Sequence, residues 1–161
     1  VQARAIDGLV RLAPQFLLKE LPKLIKEQSP QVKNAALKAF LKLDKIQALK
    51  AIEEMLVSAS ALVKEQALIC LAQINYSTSR ALLLSFIKGE TNISLIKKAG
   101  IILRNNPDLD AINNLHSMYR IAIGSKRKAL EEVLRDCIQG AIEAGLIQES
   151  VESYFNKLSE E

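Results

Sequence analysis

Three segments of the chain align without a gap at a spacing of 31 residues, and this repetition limits the possible folds more than any other feature. They are VQARAIDGLVRL from Val1, VKNAALKAFLKL from Val32 and VKEQALICLAQI from Val63. Val1, Val32 and Val63 coincide, as do Ala5, Ala36 and Ala67, then Leu9, Phe40 and Leu71, then Leu12, Leu43 and Ile74. Spacings of four, four and three put these positions on one stripe of a helix, with a small Ala near the middle where a neighbouring backbone can approach most closely. After a slip of one residue, LIKKAGIILRNN from Leu95 is a fourth copy carrying Ala99 and Leu103. A looser fifth, SKRKALEEVLRD from Ser125, carries Ala129 and Val133.

Each of the second, third and fourth copies is preceded by another segment with helical spacing: QFLLKELPKLIKE (15–27), KIQALKAIEEMLV (45–57) and SRALLLSFIK (79–88). The unit is therefore a helical hairpin. A further first helix is expected in PDLDAINNLHSMYRIAI, with Asn106 at the N-cap, Pro107 at the first helical position and two acids in the first turn. Three residues before Val32, Val63 and Leu95 stand Ser29, Ser60 and Asn92, each able to accept from the orphan amides of a helix start. Gly140 and Gly145 are expected to break a long helix before a final amphipathic one in LIQESVESYFNKLSEE. A 31-residue hairpin cannot bury its stripe alone, so copies must stack, which predicts a single all-α superhelix of about four hairpins. Residues 1–106 are the regular repeats and 107–161 a divergent repeat with a C-terminal cap. Because the pattern opens at Val1 on a second helix, a longer protein continuing upstream is expected.

The stretch ELPKLIKEQSPQVKNAALKAFLKL resembles the HEAT repeat in its Leu-Pro, short polar turn, Val plus a basic residue, then Ala and a large apolar residue. Leu21, Pro22, Val32, Lys33, Ala36 and Phe40 match that pattern, and Val63, Lys64, Ala67 and Leu71 match its second half. The short period is similar to that of bacterial HEAT-like repeats, including those of phycobilisome lyases. The family usually has Asp at the turn and Arg after the Val, where this chain has Ser29 and Ser60 with Lys33 and Lys64, so an Asp–Arg ladder between repeats is not expected. The resemblance tolerates Pro22 inside a helix, where proline introduces a kink.

Catalytic constellations are missing from the sequence. The single histidine, His116, has no Cys or carboxylate at ligand spacing and reads as a polar residue on a helix surface or edge. Cys70 and Cys137 fall at small-residue positions of helices, as packing residues in a reduced, cytoplasmic protein. No Walker loop, G-x-S-x-G, HExxH or GxGxxG occurs, so no catalytic, cofactor or metal residue is assigned. HEAT-like di-iron hydroxylases need several His–Glu pairs, which one histidine excludes. Glycosylases of related fold use aromatic side chains, and this chain has no Trp and 4% aromatics in all. An accessory subunit of a lyase-type enzyme stays open. No apolar run approaches the roughly 18 residues that span a bilayer.

Basicity is confined to the first half: residues 1–80 hold twelve Lys and Arg against seven Asp and Glu, whereas residues 81–161 hold ten against eleven. A solvated face is the favoured reading, with nucleic acid or another anionic surface as the runner-up. The HEAT resemblance implies that second helices line the inner, concave face. The fourth, seventh and eleventh positions of each copy then point into the groove: Arg4, Asp7 and Arg11; Ala35, Lys38 and Lys42; Gln66, Ile69 and Gln73; Lys98, Ile101 and Asn105. The expected role is a non-enzymatic scaffold binding another protein or peptide, acidic beside an apolar anchor, through Arg4, Arg11, Lys38, Lys42, Gln66, Ile69, Gln73, Lys98, Ile101 and Asn105. In the alternative, Ile69 and Ile101 are covered by the next helix and the lysines are merely solvated.

Overall fold

Short polar turns between apolar stripes give ten helices and no strand among residues 3–160, which the computed structural model describes. They fall into two compact units that meet in sequence between Ile74 and Asn75. The first holds α1 (Ala3–Leu12), α2 (Pro14–Leu24), α3 (Pro30–Leu43), α4 (Lys45–Leu56) and α5 (Ala61–Gln73). The second holds α6 (Tyr76–Gly89), α7 (Ile93–Arg104), α8 (Leu109–Ile121), α9 (Gly124–Glu143) and α10 (Val151–Glu160). No helix of the described residues is long and apolar enough to cross a membrane.

The turns explain where helices begin. Asp44 ends α3, its amide bonded to the Phe40 carbonyl (2.8 Å), and also caps α4, its carboxylate accepting from the Gln47 amide (3.0 Å). One repeat later Asn75 caps α6 through the Ser77 amide (2.9 Å). Ser60 and Asn92 cap α5 and α7 as expected, accepting from Val63 (3.4 Å) and Leu95 (3.3 Å). Ser29 does not: Pro30 takes the first helical position of α3, and the Ser29 hydroxyl turns to the Gln31 side chain instead. The start of α8 also differs from expectation. Asn106 is bonded back to the Ile102 carbonyl (2.8 Å), so Asp108 becomes the cap, accepting from the Asp110 and Ala111 amides, and Pro107 lies before the helix. Pro22 stands in the last turn of α2, which ends two residues later at Leu24.

The repeated stripe is the core of both units. Ala36, Ala67, Ala99 and Ala129 are all buried, with Phe40, Leu71, Leu103 and Val133 one turn on. The first copy departs: α1 meets α2 and α3 through Ile6, leaving Ala5 exposed and Leu9 half-buried. Val1, assigned to the same stripe, lies outside the described residues. Each fully buried Leu or Ile contributes about 1.5–3 kcal/mol, so the shared stripe matters more than any single turn.

In the second unit α9 packs against both α7 and α8, and two glycines set the α7–α9 spacing. A Cβ at Gly100 would lie 2.6 Å from a Val133 methyl, and one at Gly140 would lie 2.7 Å from the Arg104 carbonyl oxygen. Gly140 therefore does not break the helix, as its sequence context suggested; α9 runs through it to Glu143. The stop is Gly145, in the left-handed region (φ +76°), with its amide bonded to the Ile142 carbonyl and the Leu146 amide to Ala141. This six-to-one bond needs a residue without a Cβ penalty at Gly145. Beyond it α10 buries Phe155 and Leu158, and the Arg135 guanidinium lies 4.1 Å over the Phe155 ring, whose edge meets Tyr119 of α8.

Candidate functional site

In the first unit, α1 and α3 enclose a hollow of about 410 Å³ lined by Asp7, Gly8, Val10, Arg11, Lys38, Ala39 and Lys42. Six of these residues are three repeat-equivalent pairs, 31 apart: Asp7 with Lys38, Gly8 with Ala39, Arg11 with Lys42. Their side chains project here because the seventh, eighth and eleventh positions flank the buried stripe of both copies. Gly8 and Ala39 keep the hollow open between the helices, and Arg11, Lys38 and Lys42 give it a net positive rim. None of these three cations has an ion pair with a carboxylate of the described residues.

A second hollow, of about 190 Å³, lies between α7 and α9 in the other unit, lined by Lys97, Gly100, Ile101, Arg104, Glu132, Val133 and Asp136. Its charges largely neutralise one another: Lys97 pairs with Glu132, and Arg104 pairs with Glu143 (3.1 Å). Such half-exposed pairs contribute about 0–1 kcal/mol each.

Arg4, Arg11, Lys38, Lys42, Gln73, Lys98 and Asn105 are exposed, as are Ile69 (39%) and Ile101 (57%). The two isoleucines are therefore open on their own units. Gln66 is the exception. It is 7% exposed, on the broad buried face that α5 turns to α3 and α4, and its Oε1 accepts no hydrogen bond from the described residues. A fourth position with Ala67 beside it and Cys70 one turn on is inside, so Gln66 cannot serve as a groove contact. Lys33 is only 2% exposed; burial lowers its ammonium pKa, against the opposing fields of Cys70 and Glu65.

His116 is also inside rather than on a surface or edge, at 6% exposed, because it follows the buried Ile112 by one turn and packs towards Tyr119. Among the described residues no group of three or more His, Cys, Asp or Glu could hold a metal ion. The cysteines are buried and unpaired. Burial pushes the Cys70 thiol up to about 11 although Lys33 pulls it down, and burial with Asp136 pushes Cys137 up to about 12 although Arg104 opposes. Both folded values lie above that of a free thiol. The associated stability is therefore complete below about pH 8.5 and lost as pH rises through 11–12. At pH 8 the thiolate fraction of Cys70 is about 200-fold below that of an open cysteine. An aromatic disulfide reagent is accordingly expected to leave both thiols unmodified in the native protein and to titrate both in urea; native reaction at the free-thiol rate would contradict this assignment.

One cluster had only a partial sequence signal. The Tyr76 hydroxyl donates to Asp108 (2.8 Å), and Arg80 spans Asp108 (3.0 Å) and Asp110 (3.3 Å), tying α6 to the start of α8. The acids were legible as a helix start, but Tyr76 and Arg80 stand about thirty residues upstream. The buried Glu90 was likewise missed; its carboxylate accepts from the Thr91 and Asn92 amides just before α7. Comparison with family models, with curated proteins and with solved structures finds no match to this chain.

Proposed function

We propose that the chain is a HEAT-like α-solenoid scaffold without catalytic activity, which binds a partner protein or peptide along the exposed face of its second helices. One observation carries the reading: ten of the twelve positions derived from the repeat register are exposed, with Ala35 half-buried and Gln66 buried, while the Ala positions of the same register are buried from α3 onward. A helix that packs through one stripe and keeps a registered opposite stripe open offers its partner a ladder of side chains rather than one reactive centre. Two buried, unpaired cysteines support a reducing, cytoplasmic setting for this scaffold.

Photo-crosslinking in the full-length protein tests the proposal. A benzoylphenylalanine at Lys42 or Ile101 is expected to trap the same partner polypeptide, and one at Lys50 or Glu53 on α4 is expected to trap none. Adducts confined to the α4 positions would overturn the assignment of the binding face.

A further inference from the structure

The hollow between α1 and α3 differs from its counterpart in the second unit by its charge. Across one rung Asp7 faces its repeat-equivalent Lys38, and across the next Arg11 faces Lys42, with Gly8 and Ala39 as the small floor. In the α7–α9 hollow the cations already have carboxylate partners from the same chain, Lys97 with Glu132 and Arg104 with Glu143. Among the described residues, the three cations of the first hollow have no such carboxylate partner.

We propose that this hollow is a seat for an acidic segment of a protein partner, with one carboxylate held between Arg11 and Lys42 and another at Lys38. Lys38 and Lys42 are one helical turn apart, about 6 Å of rise, which matches carboxylates spaced i, i+4 on a helical ligand. Arg11 supplies a planar fork for the carboxylate that Lys42 meets as a point charge. Asp7 argues against a dense polyanion, because a phosphate at every position of a strand would place charge against it. The lining also has no aromatic side chain on which a base could stack. The inference rests on the reading of the chain as a protein-binding scaffold and names the chemistry of its partner at one place.

Fluorescence anisotropy at low salt tests it with three labelled probes: a 14-residue helical peptide carrying Glu at i, i+4 beside Leu, its Gln counterpart, and a 14-nucleotide single strand. The Glu peptide is expected to bind, and the Gln peptide to bind at least ~10-fold more weakly. Arg11→Gln with Lys42→Gln is expected to weaken the Glu peptide by at least ~10-fold, while Lys45→Gln with Lys50→Gln on α4, an equal change in net charge, costs less than about twofold. Circular dichroism of both double variants verifies folding, and Lys38→Gln alone serves if the first pair unfolds. Equal losses in the two pairs, tighter binding of the oligonucleotide, or no binding of the Glu peptide each overturn the proposal. If the Glu peptide fails while crosslinking at Lys42 still traps a partner, the scaffold reading survives and the acidic occupant does not.

Discussion

Gly140→Ala is expected to destabilise the C-terminal unit by about 2 kcal/mol and to lower its melting temperature by roughly 8–16 °C. The added Cβ would sit 2.7 Å from the Arg104 carbonyl oxygen, a backbone atom that cannot rotate away, so α7 and α9 must separate. Overpacking of this kind costs about 1–3 kcal/mol and here falls at the upper end, offset by about 1 kcal/mol for replacing a helical glycine with alanine. Gly8→Ala gives the contrast. Nothing lies within 4 Å of its Cβ position, so the same exchange should stabilise the chain by about 0.5–1 kcal/mol. Gly100→Ala lies between these two, since the atoms nearest its Cβ position belong to the Val133 side chain, and Val133→Ala should relieve it by removing the two methyls at 2.6 and 2.7 Å. Urea unfolding of the three variants and the double variant checks the series, and an unchanged midpoint for Gly140→Ala would refute the close-approach argument.

Asp108→Ala is expected to destabilise the second unit by about 2–3 kcal/mol. It removes the cap of α8, worth about 1 kcal/mol, and leaves the half-buried Tyr76 hydroxyl without its acceptor and Arg80 with Asp110 alone, worth about 1–2 kcal/mol more. Tyr76→Phe should cost only about 1 kcal/mol, and a double-mutant cycle should show coupling, because the two residues share one bond. The pH dependence has a defined sign. Burial first, then the bond to Asp108, raises the Tyr76 pKa above its ordinary value near 10. The stability attached to that proton is therefore complete below about pH 10 and lost as pH rises further, and Tyr76→Phe should remove that part of the alkaline decline. Thermal melts between pH 7 and 11 measure it.

The glycines show what a linear reading contains and what it lacks. Gly8 and Gly140 stand in equally helical surroundings, and no periodicity separates a glycine that faces open space from one pressed against another helix. That difference depends on pairing between segments far apart in the chain, as do the bonds of Tyr76 and Arg80 to Asp108. By contrast, the helices, the Ala series buried from α3 onward and most of the exposed ladder follow from spacing within one segment, which a linear reading does contain. Gln66 failed for a related reason: α5 is covered from two sides, by α3 and α4, so its buried face is wider than one stripe and takes in a position that is half-buried at Ala35 on α3 and open at Lys98 on α7. His116 moved inside for the same cause, a one-turn extension of the buried face of α8.

Asp44 closes α3 with its backbone and opens α4 with its side chain, so two helices share one residue at their junction. A junction of that length has no slack to absorb an error. One inserted residue taken up by α4 would turn it by about 100° and swing Ala48 and Ile52 out of contact with the core. The count of residues in the joint is thus as much a part of the folding information as the identity of any side chain inside, and a deletion that spares every apolar residue could still scramble the unit.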